Sequence, residues 1–427
     1  MMGEIGLIMV VGLIVLLALG VPIAFTIGVL AAIGIWMADI NPMILPQQFI
    51  AGSNVTSLLA IPGFILAGEV MSAGGLSRRL VRVAEKFFGH LTGGLSMSTV
   101  AAGTFFGAIS GSAPATTAAV GSIMIDELDN RGYQRGYAAA LATAVGPLGQ
   151  MIPPSIPMVI WGVLAEESIA KLFLAGIVPG LIAAFGFCIV SVLYARHHKV
   201  AKENRATGKE VFLALKDGIW ALLAPVVILG GIYSGMFTPT EAAMVGAFYS
   251  AVIGLFFYRD LSWKQIPSIL ISSMKTTGVI MFIVAMAYGF SWVMASEQIP
   301  AKLTAALLQL TDNPIILMLV VNVMLLLLGA VMDNISAMVI LSGVLIGLGQ
   351  QIGLEPIQLG AMVVINFAVG MVTPPVGYSI FVASSISGLR VETVARHIWP
   401  FMLVLLTVIA LVAYVPAVTL WLPQTFG

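Results

Sequence analysis

Asp333 is the one charged residue in the stretch Ile315–Leu348. A carboxylate at membrane depth costs about 3 kcal/mol or more and marks a functional position by default. Asn334 follows it, and Ser336 lies two positions further on. The first half of the chain holds a comparable stretch, Gly107-Ala108-Ile109-Ser110-Gly111-Ser112-Ala113-Pro114-Ala115-Thr116-Thr117, inside an apolar region that runs from Leu95 to Ile125. Two more interruptions carry paired prolines: Gly146–Pro154, ending in Pro153-Pro154, and Gly370–Pro375, ending in Pro374-Pro375. Proline lacks a donor and clashes with the carbonyl one turn earlier, so each pair unwinds its helix. Unwound carbonyls and helix C-termini attract a cation, whereas half-helix N-termini attract an anion. A hard cation such as Na⁺ suits these oxygens. One expected site combines Ser110 and Ser112 with Thr143 and Gly146, and a second combines Asp333 and Asn334 with Gly370 and Thr373. An anionic substrate is expected between them. It would lie against Ser112, Ala113, Pro114, Thr116 and Pro154 on one side and Asn334, Ser336 and Pro375 on the other.

Each feature also has a plainer reading. A Gly/Ser/Ala-rich stretch in a membrane is commonly a close packing face. A Pro-Pro pair alone is a kink, and Asp333 alone could be an ion-paired or protonated acid. The duplication is what favours binding sites, because it repeats in order at an offset near 220 residues. Gly107-Ala-Ile-Ser-Gly-Ser-Ala-Pro-Ala resembles Gly329-Ala-Val-Met-Asp-Asn-Ile-Ser-Ala, and Ala144-Val-Gly before Pro153-Pro154 resembles Ala368-Val-Gly before Pro374-Pro375. Phe64-Ile-Leu-Ala resembles Phe282-Ile-Val-Ala, and the arm Ser77–Phe88 has its counterpart in Ile299–Leu310.

The elements that must position these residues are membrane helices. Of the 427 residues, 59% are hydrophobic and 9% charged, where a soluble domain carries about a quarter charged. The apolar runs are continuous rather than alternating, which excludes a transmembrane barrel. Net charge is zero, so no nucleic-acid partner is implied. Cys188 is alone and forms no intrachain disulfide. The apolar N-terminus runs on to Trp36 without a basic lead, and reads as structure rather than a cleaved signal. The arms flanking Ser110–Pro114 are about 20 Å long at 1.5 Å per residue. They are too short to span a ~30 Å core comfortably, but they reach its middle. The predicted fold is therefore an all-α polytopic membrane protein built from two inverted repeats. Residues 1–195 hold a re-entrant hairpin (95–128) and a broken helix (137–162); a polar connector covers 196–217. Residues 218–427 hold a second hairpin (315–348) and broken helix (359–385).

If the connector is cytoplasmic, this layout leaves every Lys and Arg except Lys171 and Lys302 on the cytoplasmic side, with both termini outside. The two hairpins then open to opposite faces, which relates the halves by an axis in the membrane plane. Inverted repeats with broken helices are the signature of secondary transporters. The amphipathic arm, with Leu80, Val83, Ala84, Phe87 and Phe88 on one side, reads as an interfacial helix. Glu69, Glu241 and Lys275 are expected to pair or snorkel. There is no G-x-x-x-x-G-K-[ST] and no H-E-x-x-H, and the four histidines lie at span ends. An ion gradient is the expected energy source. An anion channel and a membrane enzyme acting on a lipid-linked substrate are the alternatives.

At Gly107–Gly121, Val145–Gly162 (VGPLGQMIPPSIPMVIWG) and Asn366–Gly377 (NFAVGMVTPPVG) the chain resembles the large membrane (M) subunit of the tripartite ATP-independent periplasmic, or TRAP, transporters. The resemblance covers nearly the whole chain. It implies sodium-coupled uptake of an organic acid across a bacterial inner membrane by an elevator-type motion. It also implies a small four-helix membrane subunit, here a separate chain, and a soluble periplasmic binding protein that delivers the substrate. Family substrates include C4-dicarboxylates and sialic acid, and the sequence looks closest to the sialic-acid branch.

Overall fold

The computed structural model describes residues 4–309, 311, 313–374 and 376–427. In chain order the α-helices are α1 (Glu4–Ala18), α2 (Ile23–Met37), α3 (Ile44–Ser53), α4 (Ala60–Ala73), α5 (Leu76–Phe88), α6 (Gly94–Ser110), α7 (Ala113–Asn130), α8 (Arg135–Ala144), α9 (Leu148–Met151), α10 (Ile156–Leu164) and α11 (Ile169–His197). They continue as α12 (Gly208–Tyr233), α13 (Pro239–Val252), α14 (Ile266–Ser296), α15 (Ile299–Leu308), α16 (Pro314–Val331), α17 (Asn334–Gln351), α18 (Pro356–Gly370), α19 (Tyr378–Ser387), α20 (Val391–His397), α21 (Trp399–Tyr414) and α22 (Ala417–Phe426). Among the described residues seven helices are long and apolar enough to cross a membrane. The chain is an all-helical polytopic membrane protein.

Its centre is made of interrupted helices. Every residue of α8 from Gly136 to Ala144 is buried, as are all of α9 and Ile357–Gly370 of α18. Around them pack α6, α7, α11, α16, α17 and α21. The exposed apolar side chains, such as Ile14, Phe212, Val226, Leu319 and Leu327, lie on the outer helices. In a bilayer such a surface faces lipid and needs no covering protein.

One boundary differs from the sequence reading and two apolar segments divide, each for a local reason. The connector is shorter than 196–217, because α11 runs to His197 and α12 starts at Gly208. Thr207 and Glu210 form a capping box that starts α12 well before its apolar part. Glu210 accepts from Thr207 N and Oγ1, which holds its carboxyl below the usual carboxylate range. The apolar segment Ile44–Val70 is not one helix, since Asn54 closes α3 and a 3-10 turn, Thr56–Leu59, leads into α4. The final segment Ile398–Leu422 divides at Val415-Pro416, where proline cannot donate. The carbonyls freed there, Val412 O and Ala413 O, accept from Gln358 Nε2 at 3.0 and 3.1 Å.

The arm α5 lies against α6 and α12 through Leu76, Leu80, Val81, Val83 and Ala84. Phe87, expected on that face, is exposed. Glu69 accepts from Ser272 Oγ at 3.1 Å, and Glu241 caps α13 together with Thr238. Arg79 pins the arm: it bonds Asp260, reaches Asp217 Oδ1 at 3.4 Å and stacks 3.7 Å from the Tyr258 ring centre. Arg79→Ala leaves Asp260 without its cation and Asp217 with Arg82 alone. It should lower stability by about 1–2 kcal/mol, as for partly solvated ion pairs. Thermal unfolding in detergent checks this, with Arg79→Lys expected to lose less.

Candidate functional site

The two breaks expected to carry chemistry share one spacing. Helix α6 ends at Ser110, two residues intervene, and α7 begins at Ala113; α16 ends at Val331, two residues intervene, and α17 begins at Asn334. In the first break Gly111 has φ +63°, the left-handed conformation that glycine adopts without a Cβ penalty. Its N–H closes α6 by donating to Gly107 O, and its carbonyl accepts from Ile156 N at 3.3 Å. A Cβ on Gly111 would lie 3.0 Å from Pro154 O, so the first tip rests on the Pro-Pro break.

Around this tip oxygens gather. Ser110 Oγ and Thr116 Oγ1 share a hydrogen bond of 2.9 Å, and Thr116 Oγ1 donates to Ser112 O. Ser112, although it is the N-cap of α7, makes no side-chain cap, and its side chain is half-buried beside Ala113 and Pro114. Thr143 is buried; its hydroxyl donates to Ala139 O at 2.8 Å, and its carbonyl accepts from Gly146 N at 3.0 Å. A Cβ placed on Gly146 would lie 2.4 Å from Thr117 Oγ1 and 3.0 Å from both Ala113 O and Thr143 O. Thr117 Oγ1 is buried and has no hydrogen-bond partner among the described residues. A buried unpaired hydroxyl costs about 1–3 kcal/mol. Three oxygens around one missing side chain, one of them unpaired, suit a hard cation.

The second break is built differently. The Asp333 carboxylate caps α17, accepting from Ser336 N and Ser336 Oγ at 3.1 Å each. Ser336 is thereby turned onto Asp333 and is buried. Asp333 itself is exposed and, among the described residues, in no ion pair. Asn334 is buried, and its Nδ2 donates to Gln150 Oε1 at 3.0 Å. Gly370 lets two backbones touch, since a Cβ there would lie 2.6 Å from Gly329 Cα. Gly377 N donates to Ala330 O, which ties the segment after α18 to the end of α16. Thr373 Oγ1 donates to Val369 O at 2.8 Å. Pro375, expected at the substrate, lies outside the described residues. Ser379 N donates to Met371 O, while Ser379 Oγ is buried and has no partner among the described residues.

The fold therefore gathers the first oxygen set around Gly146 and the first tip, and it brings Asn334 to Gln150 on the opposite half. Asp333 bonds to its own helix rather than to Gly370 or Thr373. Sequence reasoning did not select Thr117, Gln150 or Ser379. Thr117 was within the quoted tip stretch, but only packing shows that its hydroxyl has no partner. Among the described residues no three His, Cys, Asp or Glu side chains gather, so hydroxyls and carbonyls are the available ligands.

Interrupted helices at the centre of a helical membrane protein, lined by oxygens that its own chain leaves unpaired, define a membrane protein of the carrier class. The chain belongs to the family described as the DctM component of the tripartite ATP-independent periplasmic transporters, which it matches over residues 10–418. It is 40% identical over 371 residues to the C4-dicarboxylate TRAP transporter large permease protein DctM of Pseudomonas aeruginosa, covering 87% of each chain. It is also 40% identical over 400 residues to the isethionate TRAP transporter permease protein DctMQ of Oleidesulfovibrio alaskensis, covering 91% of this chain and 63% of that one. In fold it resembles the YdaH transporter of Alcanivorax borkumensis, with a TM-score of 0.61 at 15% identity and 86% of each chain covered. The protein is a component of a membrane transporter, and not an enzyme.

Proposed function

We propose that this chain is the permease of a sodium-coupled organic-anion symporter, and that it moves its substrate between the two helix breaks. The observation that carries the reading is the oxygen cradle at Gly146, where Thr117 Oγ1 is buried without a partner beside Ala113 O and Thr143 O. Na⁺ is a transported co-substrate here, and each charge that crosses contributes about 2.3 kcal/mol per 100 mV. Thr117, Ala113 and Thr143 with Gly146 would form one cation site, next to Ser110 and Ser112. The second would use the exposed Asp333 with Gly370, Thr373 and the unpaired Ser379 hydroxyl. The carboxylate of the substrate would meet the N-termini of α7 and α17, where the N–H groups not already taken by Ser110 and Asp333 and the helix dipole favour an anion.

Matching arm lengths support an inverted repeat: α6 and α7 have 17 and 18 residues, α16 and α17 have 18 each. An elevator-type motion would carry these four helices and the interrupted α8–α10 and α18–α19 as one body in the inner membrane. The basic residues favour a cytoplasmic connector and periplasmic termini. A small membrane subunit and a periplasmic binding protein would complete the assembly. The relative DctMQ, longer than this chain, leaves open a fused small subunit in other members, and here we place it on a separate chain. Because a permease 40% identical to this chain over 87% of each chain is named for C4-dicarboxylates, that class ranks ahead of sialic acid as substrate.

Uptake into proteoliposomes holding this chain and its small subunit, with the binding protein outside, tests the reading. Labelled C4-dicarboxylate or sialic acid should accumulate above its external concentration only with an inward Na⁺ gradient. Uphill accumulation that ignores Na⁺ would remove the coupling. Flux that runs only downhill would make the protein a channel.

A further inference from the structure

The short helix α9 stands between the two breaks. A Cβ on its Gly149 would lie 2.4 Å from Thr116 Oγ1 and 2.9 Å from Ser112 O, so α9 touches the first tip with no side chain intervening. The next residue, Gln150, is buried and points the other way. Its Oε1 accepts from Asn334 Nδ2 at 3.0 Å at the second tip, and its Nε2 lies 3.5 Å from Met371 Sδ, just past the end of α18. One amide from the first half of the chain thus meets both second-half elements that border the second site. Asn334 Oδ1 accepts no hydrogen bond among the described residues. The bond to Gln150 orients the Asn334 amide, with its nitrogen toward α9 and its oxygen free for a ligand.

We infer that Gln150 is a positioning residue that couples the two halves of the binding region, so that occupancy at the first tip alters affinity at the second. A ligand that shifts α9 at Gly149 shifts Gln150 with it, because the two residues adjoin in a four-residue helix closed by Gln150 N and Met151 N donating to Pro147 O. Gln150 then carries Asn334. Coupling of this kind is reciprocal: substrate must change Na⁺ affinity by the factor by which Na⁺ changes substrate affinity. The inference rests on the sodium-symport reading, and wild-type behaviour tests that reading separately.

The experiment measures the half-saturating Na⁺ concentration at several substrate concentrations in proteoliposomes. The wild type should show it falling as substrate rises; if it has no Na⁺ dependence, the symport reading fails before any variant is considered. Gln150→Met keeps the length and volume of the side chain but removes the amide's acceptor oxygen and donor nitrogen. It should raise half-saturating Na⁺ about tenfold and abolish its dependence on substrate, with the maximal rate at saturating Na⁺ within about threefold of wild type. Gln150→Glu restores an acceptor for Asn334 Nδ2 and should recover the substrate dependence. A residue that merely fills space would lower rate and melting temperature together and leave the dependence intact, and that outcome for Gln150→Met would overturn the inference. Should Gln150→Met fail to fold, Gln150→Glu decides alone: active protein without the substrate dependence would sink the idea, and retained dependence supports it.

Discussion

Gly146→Ala will lose at least about 90% of sodium-driven uptake while the protein still reaches the membrane. The added methyl would occupy the space that Thr117 Oγ1, Ala113 O and Thr143 O surround, at 2.4, 3.0 and 3.0 Å. The two carbonyls cannot retreat easily. Ala113 belongs to α7 and Thr143 to α8, helices whose backbones are fixed by their own hydrogen bonds, and α8 is buried from Gly136 to Ala144. Overpacking of this kind costs about 1–3 kcal/mol, enough to displace the oxygens without unfolding a large chain. The control is Gly246→Ala, where the methyl would lie 2.8 Å from Ile228 Cδ1, the far end of a flexible side chain. That variant should transport within about twofold of wild type. Thr117→Val separates the oxygen from the space, since valine keeps the shape and lacks the hydroxyl. It should raise half-saturating Na⁺ about tenfold, equivalent to about 1.4 kcal/mol, with little change in melting temperature. An unchanged Na⁺ requirement in both Gly146→Ala and Thr117→Val would mean that the cradle is a packing defect.

Much of this was legible in the chain because polar and helix-breaking residues are conspicuous against apolar runs. The breaks at Gly111-Ser112 and Met332-Asp333, and the interruptions after Ala144 and Gly370, coincide with such residues. The ends of long helices were less legible. Helix α12 starts at a capping box in polar sequence, where hydropathy gives no signal. Within the site, sequence indicated which residue types lie at a break but not where each hydrogen bond goes. Thr143 and Thr373 looked like ligands, yet each donates to the carbonyl four residues earlier, a bond that any threonine on a helix can make. Thr117 and Ser379 looked like ordinary helix residues, and only tertiary packing leaves their hydroxyls unpaired. Gln150 became visible only when its partners from the other half, Asn334 and Met371, were in place.

Asp333→Asn will abolish sodium-driven uptake as completely as Asp333→Ala, although the two will differ in stability. The side chain has two separable properties. Its oxygen caps α17, accepting from Ser336 N and Ser336 Oγ, and asparagine caps a helix about as well as aspartate does. Alanine cannot, which should cost about 1 kcal/mol and lower the melting temperature measurably for the Ala variant only. The second property is charge. The carboxylate is exposed at a break between two apolar helices, and no basic side chain pairs with it among the described residues. Lys302, on the neighbouring arm α15, donates instead to Glu297 O. A charge held at membrane depth without a protein partner is costly, and a bound cation would supply the missing one. The cap alone does not require a charge, because the first break does without a side-chain cap at Ser112. If Asp333→Asn transports normally and keeps its Na⁺ dependence, Asp333 is a helix cap and nothing more, and the second cation site has to be sought around Ser379 and Met371. If both variants lose uptake and only Asp333→Ala melts early, the charge serves transport and the cap serves the fold.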